Sequence, residues 1–333
     1  MRISVLGSGT WGSCLANLLA ENGHDIVLWG RNSSKINAMS ESLSHPNLSS
    51  LKFLSEIQFT SKLDDISGSD LIVIAIPTKA TRLIFKKIKT KISQDVNFII
   101  ASKGIENDSC MIISEIMHQV LGVDIDNIYV LSGPSHAEEL ALKHPTTVVI
   151  ANNDISKARD MQSVFSNQYF RVYANDDVLG VQIGGAIKNV ISIAAGICDS
   201  IGYGDNALSA LVVRGLEEIA LLASKMGARQ STVFGLSGCG DLVVTAFSKH
   251  SRNRYVGVKL GLGYSLNEIV TDMNMVAEGL NTTKSIYQLS LKYNVQMPIC
   301  TEVYEILYNN KKPDDVISDL MSRDLVDEKI ERN

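Results

Sequence analysis

The sequence lacks the features that mark disulfide-stabilised, metal-binding or nucleic-acid-binding proteins. Its five cysteines are an odd number and no two are spaced as in a Cys-x-x-Cys pair, which favours free thiols in a reducing compartment. Its six histidines fall in no spacing typical of metal ligands, so we expect no metal site. Acidic residues outnumber basic ones by 36 to 31, giving a net charge of −5, and a nucleic-acid partner is therefore not expected.

Long uninterrupted apolar runs are also scarce. Glycines and polar residues break up the apolar stretch at the N-terminus, which argues against a signal peptide. The segment Val178–Cys198 is nearly apolar, but it contains Gln182, Lys188 and Asn189, which would be costly near a bilayer centre. We interpret this segment as a buried helix, and we expect a cytoplasmic protein without stable membrane insertion.

The first half of the chain alternates short apolar runs with stretches of helical period. Seven such runs between Ile3 and Tyr173 predict strands, and stretches such as Ser13–Asn22 and Thr81–Ile92 predict helices between them. Buried runs separated by helices are typical of a doubly wound, mainly parallel sheet of Rossmann type. After about Asp177 helical periods dominate. We therefore predict an α/β domain over residues 1–178 and an all-α domain over residues 179–333.

A glycine-rich segment, Gly7–Gly12, follows the first predicted strand and opens the first predicted helix. Its sequence, GSGTWG, is a GxGxxG pattern in the context that indicates dinucleotide binding. The three glycines permit the tight turn, the close approach of backbone to phosphate, and the packing of helix on strand. The N–H groups of the first helical turn then face the pyrophosphate. The alternative is a glycine-rich turn that serves packing alone.

The second predicted strand ends in Trp29-Gly30-Arg31. NAD-selective sites usually place Asp or Glu near this position, where the carboxylate accepts hydrogen bonds from the ribose hydroxyls. A cation such as Arg31, with Lys35 close by, instead suits the 2′-phosphate of NADP. A solvated arginine at a strand end is the alternative. We expect NADPH to be favoured and NADH to be used as well.

Lys188 is the one charged residue between Val178 and Cys198. A lysine in an apolar helix needs a partner or a purpose, and it can act as a general acid or polarise a carbonyl group. It can equally extend its ammonium group to the surface, and the pattern alone does not distinguish these cases. Asn189, next to it, can orient a substrate oxygen.

Other polar residues lie in turns that suit ligand binding. Lys103 and the small residues of Ser132–Ala137 follow predicted strand ends, where ligands bind in open α/β sheets. Ser251 can cap a helix whose first turn holds Arg252, a bidentate donor for phosphate. Asp241, in a glycine-rich turn, can orient a lysine or bind a hydroxyl. Surface-exposed side chains are the alternative for the two cations.

Seven short motifs, in their order and spacing, resemble the NAD(P)-dependent glycerol-3-phosphate dehydrogenases of bacterial type over nearly the whole chain. They are GSGTWG at 7–12, SKGIE at 102–106, LSGPSHAEE at 131–139, GAIKNVISIAAGI at 185–197, GLSGCGDL at 235–242, SRNRYVG at 251–257 and VAEGLNT at 276–282. The resemblance implies a Rossmann-type domain followed by an all-α domain of the 6-phosphogluconate dehydrogenase-like type. It also implies a homodimer and reversible NAD(P)H-dependent reduction of dihydroxyacetone phosphate to sn-glycerol 3-phosphate, the backbone precursor of phospholipids.

The resemblance also implies roles for individual residues. Lys188 matches the proton donor at the substrate C2 oxygen, Lys103 matches a second lysine at the same carbonyl, and Arg252 and Asn253 match positions nearest the phosphate. The further substrate positions are Gly133, Ser135, Asn189, Asp241 and Ser251. Besides the turn residues Gly7, Gly9 and Gly12, the cofactor positions are Thr10, Trp11, Arg31, Lys103, Ala137, Arg252, Val276 and Glu278.

Two other classes of protein share part of this pattern. Dehydrogenases of the 6-phosphogluconate or β-hydroxyacid type also combine a dinucleotide domain with a helix-borne lysine, but the segments Gly238–Asp241 and Ser251–Asn253 argue against them. A dinucleotide-sensing regulator would need neither Lys188 nor Lys103.

Overall fold

A computed structural model describes residues 1–93, 95–273, 277–325 and 328 of the chain. Its contacts divide the chain into two compact units, Met1–Glu106 with Met111–Gln182, and Asn107–Cys110 with Ile183–Asn333. The domain change predicted at 178/179 coincides with the start of helix α7 (Val178–Ile201), and the two units divide at 182/183.

The first unit contains all the strands of the described chain and six helices. The strands are β1 (Arg2–Leu6), β2 (Asp25–Trp29), β3 (Ser44–His45), β4 (Leu48–Lys52), β5 (Gln58–Thr60), β6 (Leu71–Ile74), β7 (Asn97–Ile100), β8 (Ile128–Ser132), β9 (Thr146–Ala151) and β10 (Phe170–Asn175). The helices are α1 (Thr10–Glu21), α2 (Ser33–Ser42), α3 (Thr78–Ile88), α4 (Ile113–Leu121), α5 (Ala137–Ala141) and α6 (Ile155–Phe165).

Eight of these strands form one sheet in the order β10-β9-β8-β7-β6-β1-β2-β5, and β3 pairs with β4. Every pair in the large sheet is parallel except β8 with β9. The doubly wound, mainly parallel sheet is therefore confirmed. The strand order reverses between β1 and β6, and in such sheets the crevice outside the carboxyl ends of the strands at this point binds ligands.

Burial explains which strands the sequence reveals. The central strands β1 and β6 bury Ile3, Val5, Leu71 and Val73 completely, so apolar residues predominate in their sequences. The strands β3, β4 and β5 were not predicted. They are at most five residues long and mix buried with partly buried or exposed positions, which leaves little apolar signal.

Every regular element that the structure describes within residues 183–325 is helical, as predicted. After α7 come α8 (Gly204–Lys225), α9 (Gln230–Val233), α10 (Asp241–Phe247), α11 (Arg252–Gly261), α12 (Leu266–Asp272), α13 (Glu278–Tyr293), α14 (Pro298–Asn309) and α15 (Pro313–Met321). A π-helical turn, Leu236–Gly240, leads directly into α10.

Helix α7 is almost completely buried. By length and hydropathy it would qualify as a membrane span, but 94% of its apolar window is buried within the protein. This confirms the interpretation of the apolar segment as a buried helix. Among the described helices, the segment Gln230–Phe247 and α11 are bent by 49° relative to each other. They reach the length and hydropathy of a membrane span only when they are taken together.

Candidate active site

The glycine-rich turn joins β1 to α1, and close backbone contacts require glycine at two of its three glycine positions, Gly7 and Gly12. Gly7 has a φ of +127°, and a Cβ atom there would lie 2.2 Å from the carbonyl oxygen of Ala75. A Cβ atom on Gly12 would lie 2.0 Å from the carbonyl oxygen of Gly7, so helix and turn pack in backbone contact. A Cβ atom on Gly9 would meet nothing within 4 Å, so this position faces open space.

The residues of this turn fit a dinucleotide. Gly9 is the N-cap of α1 and has no side chain to accept from the N–H groups of the first helical turn, which therefore point toward the open side of Gly9. The indole N–H of Trp11 is buried without a hydrogen-bond partner in the described part of the chain. Backbone N–H groups at a helix N-terminus are the donors that a pyrophosphate requires.

Two side chains hold the carbonyl group of Ser8 inside this turn. Lys35 Nζ donates to the Ser8 oxygen over 3.0 Å, and burial lowers the pKa of Lys35. His45 Nε2 lies 3.3 Å from the same oxygen, while His45 Nδ1 accepts from the N–H of Asn47, so Nε2 carries the hydrogen. Burial and the charge of Lys35 lower the pKa of His45 to about 4, so His45 is neutral at pH 7.

Arg31, the residue on which the cofactor preference was predicted, lies exposed just after β2. Asn32, next to it, caps α2 by accepting from the N–H of Lys35. Arg31 and Lys35 were predicted as neighbouring cations, but Lys35 turns to the Ser8 carbonyl group. His45 was missed because it lies in the polar β3–β4 hairpin, where no local pattern singles it out.

Lys103 and the turn after β8 come together in the first unit. Lys103 Nζ donates to the carbonyl oxygen of Gly133 over 3.2 Å, and Ser135 Oγ donates to the same oxygen over 2.9 Å. Gly133 has a φ of +142°, and a Cβ atom there would lie 2.9 Å from Cα of Val148. Three predicted substrate residues therefore share one contact, which follows from their position at the ends of β7 and β8.

Two further predicted cofactor residues begin helices. Ala137 is the first residue of α5, and its carbonyl oxygen lies 3.4 Å from Cys14 Sγ of α1. Glu278 is the first residue of α13 and is partly buried. Val276 lies outside the described residues.

Lys188 is buried in α7 and does not reach the surface, so the alternative of a surface-extending lysine is wrong. Its side chain is 8% exposed. Lys188 Nζ donates to Asp241 Oδ1 over 2.7 Å and to Thr245 Oγ1 over 2.6 Å. The contact between Asp241 and a lysine that the sequence analysis predicted is present in the structure. A buried ammonium group is tolerated when a carboxylate and further hydrogen bonds replace its water, and here both are present.

Thr245 was missed by sequence reasoning. It follows Asp241 by four residues, about one helical turn, and its hydroxyl donates to the Asp241 carbonyl oxygen over 2.5 Å. Its oxygen is then placed to accept from Lys188. The signal was the i, i+4 spacing of two polar residues in the apolar helix α10.

Residues of the predicted phosphate turn begin helix α11. Ser251 caps this helix by accepting from the N–H of Arg254 over 3.1 Å, as predicted, and Arg252 is exposed at its first position. Asn253 is buried: its Nδ2 donates to Asn189 Oδ1 over 2.8 Å and its Oδ1 accepts from the N–H of Gly279 over 3.0 Å. The Asn253 side chain thereby joins α7, α11 and α13.

The second unit thus presents an ammonium group held by a carboxylate and a hydroxyl, with amide groups beside it and an exposed guanidinium group at a helix N-terminus. An ammonium group in this setting can give a proton to an oxygen that gains negative charge. The guanidinium group and the first-turn N–H groups are suited to an anion. Within the described residues no group of three or more His, Cys, Asp or Glu side chains could hold a metal ion.

Comparisons with known proteins agree with these features. The family model described as NAD-dependent glycerol-3-phosphate dehydrogenase N-terminus matches residues 2–158, and the corresponding C-terminus model matches residues 177–318. A glycerol-3-phosphate dehydrogenase (NAD(P)+) of Lysinibacillus sphaericus is 48% identical over 97% of this chain and 96% of the relative. One of Bacillus subtilis is 45% identical over 97% of this chain and 94% of the relative.

A solved structure is also similar along the whole chain. The glycerol-3-phosphate dehydrogenase of Coxiella burnetii superposes with a TM-score of 0.92 at 34% identity, covering 97% of this chain and 99% of that one.

Proposed function

The chain belongs to the NAD-dependent glycerol-3-phosphate dehydrogenase family of NAD(P)-dependent oxidoreductases, and from that premise we propose its reaction, its site and its assembly. The reaction is the reversible reduction of dihydroxyacetone phosphate to sn-glycerol 3-phosphate, which supplies the glycerol backbone for phospholipid synthesis. The observation that carries this proposal is the buried Lys188, held by Asp241 and Thr245.

Proton transfer is assigned to Lys188. When bound, NAD(P)H supplies the hydride that reduces C2 of the substrate. As C2 is reduced its oxygen gains negative charge, and Lys188 stabilises that charge and gives its proton to the oxygen, so that a hydroxyl results. Asp241 and Thr245 hold Nζ in one orientation, which reduces the entropy lost when the substrate binds. Solvent returns the proton to Lys188 afterwards. Lys103 is assigned a supporting role in polarising the carbonyl group.

The substrate phosphate is assigned to the N-terminus of α11. Arg252 is exposed there, and Ser251 caps the helix, so a guanidinium group and backbone N–H groups are presented together. The phosphate lies remote from the reacting carbon, and its binding energy positions the ketone. Asn189 and Asn253 support this arrangement through their mutual hydrogen bond. Gly133 and Ser135, which share a contact with Lys103, are assigned to the substrate as well.

The cofactor is assigned to the glycine-rich turn, with NADPH favoured over NADH. The exposed cation Arg31 supports this preference, because a 2′-phosphate is better matched by a guanidinium group than by a carboxylate. Gly7, Gly9, Gly12 and the first α1 residues Thr10 and Trp11 form the pyrophosphate side. The resemblance of motifs adds Lys103, Ala137, Arg252, Val276 and Glu278 to the cofactor set.

We propose a cytoplasmic homodimer. Five free cysteines support a reducing compartment. Large apolar side chains on the helical unit are exposed, among them Phe234, Val243 and Phe247, and a subunit interface would cover such groups. Light scattering after size-exclusion chromatography tests the assembly, and a monomeric mass at micromolar concentration contradicts it.

A spectrophotometric assay tests the reaction. Oxidation of NADPH and of NADH is followed by the loss of nicotinamide absorbance with dihydroxyacetone phosphate as substrate. Reduction of NADP⁺ is followed with 6-phosphogluconate as the competing substrate class. We expect turnover with dihydroxyacetone phosphate and none with 6-phosphogluconate. The opposite result overturns the proposed substrate. A higher kcat/KM with NADH than with NADPH overturns the proposed preference.

A further inference from the structure

Helix α7 carries Lys188 and packs closely against other elements of the second unit. At two of these contacts, with the π-helical turn and with α11, the residue on α7 is a glycine. Gly184 lies four residues before Lys188 and Gly196 eight residues after it, which places them about one and about two helical turns away.

The first contact joins α7 to the π-helical turn that leads into Asp241. A Cβ atom on Gly184 would lie 3.0 Å from Cα of Gly238 and 3.2 Å from the Ser237 carbonyl oxygen. A methyl group at position 184 must therefore push this backbone away by a few tenths of an ångström. Asp241 is three residues further along, and its Oδ1 lies 2.7 Å from Lys188 Nζ, so the displacement is transmitted to that hydrogen bond.

The second contact joins α7 to α11. A Cβ atom on Gly196 would lie 2.1 Å from the Arg254 carbonyl oxygen, and one on Gly257 would lie 2.0 Å from the Ile193 carbonyl oxygen. Atoms in contact are separated by about 3.5 Å, so a methyl group here forces the helices apart by roughly 1 Å. The short side chains of Asn189 and Asn253 bridge the same two helices over 2.8 Å and would separate with them.

Other glycines near α7 have a different environment. A Cβ atom on Gly215 of α8 would meet the side chain of Ile191, 2.6 Å from Cγ2. One on Gly261 of α11 would lie 2.0 Å from Ser200 Oγ but also 3.1 Å from the Ile197 carbonyl oxygen, so Gly261 makes a backbone contact as well. A side chain can change rotamer, whereas backbone cannot move without its whole element. Gly215 therefore serves as the comparison for Gly184 and Gly257, because its close contacts are with a side chain.

We infer that Gly184 and the pair Gly196–Gly257 are positioning residues: the first sets Asp241 against Lys188, and the second sets the N-terminus of α11 against Lys188. This rests on the proposed function, which assigns Lys188, held by Asp241, to the reacting oxygen and Arg252 to the phosphate. Displacement of Asp241 acts on the chemical step and displacement of α11 acts on substrate binding. The two glycine contacts therefore control different kinetic constants.

The test compares Gly184→Ala and Gly257→Ala with the control variant Gly215→Ala. Alanine favours helix over glycine in all three, so a loss does not come from helix propensity. For each variant kcat and KM for dihydroxyacetone phosphate are measured at saturating NADPH. The Tm and the Kd for NADPH are measured without substrate.

Misplacing a catalytic group by 1 Å costs about a hundredfold in rate, so a few tenths of an ångström correspond to about three- to tenfold. We expect Gly184→Ala to lower kcat by about three- to tenfold with KM within about twofold of wild type. We expect Gly257→Ala to raise KM for dihydroxyacetone phosphate at least about tenfold, with a smaller change in kcat. The control Gly215→Ala should keep kcat and KM, and all three variants should keep the Kd for NADPH.

Kinetic constants of Gly184→Ala that match those of Gly215→Ala overturn the inference, as do losses in kcat that simply follow Tm across the three variants. If Gly257→Ala does not fold, Gly184→Ala against Gly215→Ala decides. If the wild-type protein reduces dihydroxyacetone phosphate and Gly184→Ala has the same kcat and KM, the inference is overturned and the proposed function stands. A wild-type protein inactive on dihydroxyacetone phosphate overturns the proposed function and the inference with it.

Discussion

Replacing Glu218 with glutamine should change how the stability of the protein depends on pH between 4.5 and about 7. Glu218 lies in α8 and is 4% exposed. Its Oε1 accepts from the N–H of Ile299 over 2.7 Å and its Oε2 from the N–H of Cys300 over 3.1 Å, so it caps the first turn of α14. Burial raises the pKa of Glu218 from 4.5 to about 7, and the two backbone hydrogen bonds lower it by less.

The sign of the effect follows from proton linkage. Between pH 4.5 and about 7 the folded protein retains the proton on Glu218 while the unfolded chain has lost it, so unfolding releases a proton. The free energy of unfolding therefore falls as pH rises through this interval and is constant, with respect to this group, outside it. At 1.36 kcal/mol for each pH unit, the free energy of unfolding falls by about 3 kcal/mol across this interval.

The measurement is the free energy of unfolding from urea denaturation at several pH values from 4.5 to 8. The neutral side chain of Glu218→Gln has no proton to lose, so the variant should gain up to about 3 kcal/mol relative to wild type as pH rises. Glu217→Gln is the matched control, because Glu217 lies next to Glu218 on the same helix but pairs with Arg214 near the surface. A difference between wild type and Glu218→Gln that stays constant with pH would refute the burial argument.

Four further outcomes follow from the site. Lys188→Ala should lower kcat by about 10²- to 10⁴-fold and retain NADPH binding; a kcat near that of wild type contradicts the proton-transfer role. Thr245→Val removes the hydroxyl that accepts from Lys188 and keeps a similar side-chain volume. It should lower kcat by about tenfold, which is equivalent to the loss of one hydrogen bond of about 1.4 kcal/mol. An unchanged kcat would show that Asp241 alone orients the lysine. Arg252→Ala should raise KM for dihydroxyacetone phosphate more than KM for dihydroxyacetone; equal losses are incompatible with a phosphate contact. Arg31→Asp should shift the ratio of kcat/KM values from NADPH toward NADH, and an unchanged ratio would make Arg31 a surface residue without a role in selectivity.

Local sequence patterns predicted the elements whose signal lies within a few neighbouring residues. Buried strands such as β1 and β6 appear as apolar runs because both faces of the sheet are covered. The glycine-rich turn was recognised because its GxGxxG spacing follows a predicted strand and opens a predicted helix. In the structure, the positive φ of Gly7 and the close backbone contacts at Gly7 and Gly12 account for two of these glycines. The cap formed by Ser251 is local in the same sense.

The short strands and the strand order lay beyond such patterns. Strand β5 has three residues and gains its place by pairing with β2, a contact between segments about thirty residues apart. The antiparallel pairing of β8 with β9 depends on the direction in which the chain re-enters the sheet after the segment that joins these two strands. No local sequence periodicity encodes that direction.

By itself, the sequence determined the class of fold, the dinucleotide turn and the identity of the one lysine in α7. Only the tertiary structure decided that Lys188 is a held, buried group, because its partner Asp241 is 53 residues away and Thr245 57 residues away. Likewise the amide of Asn253 is directed into the protein by Asn189, 64 residues earlier. The physical reason is that hydrogen bonds of this kind depend on how closely helices pack. That distance is set by backbone contacts at glycines such as Gly196, whose partners the sequence does not identify.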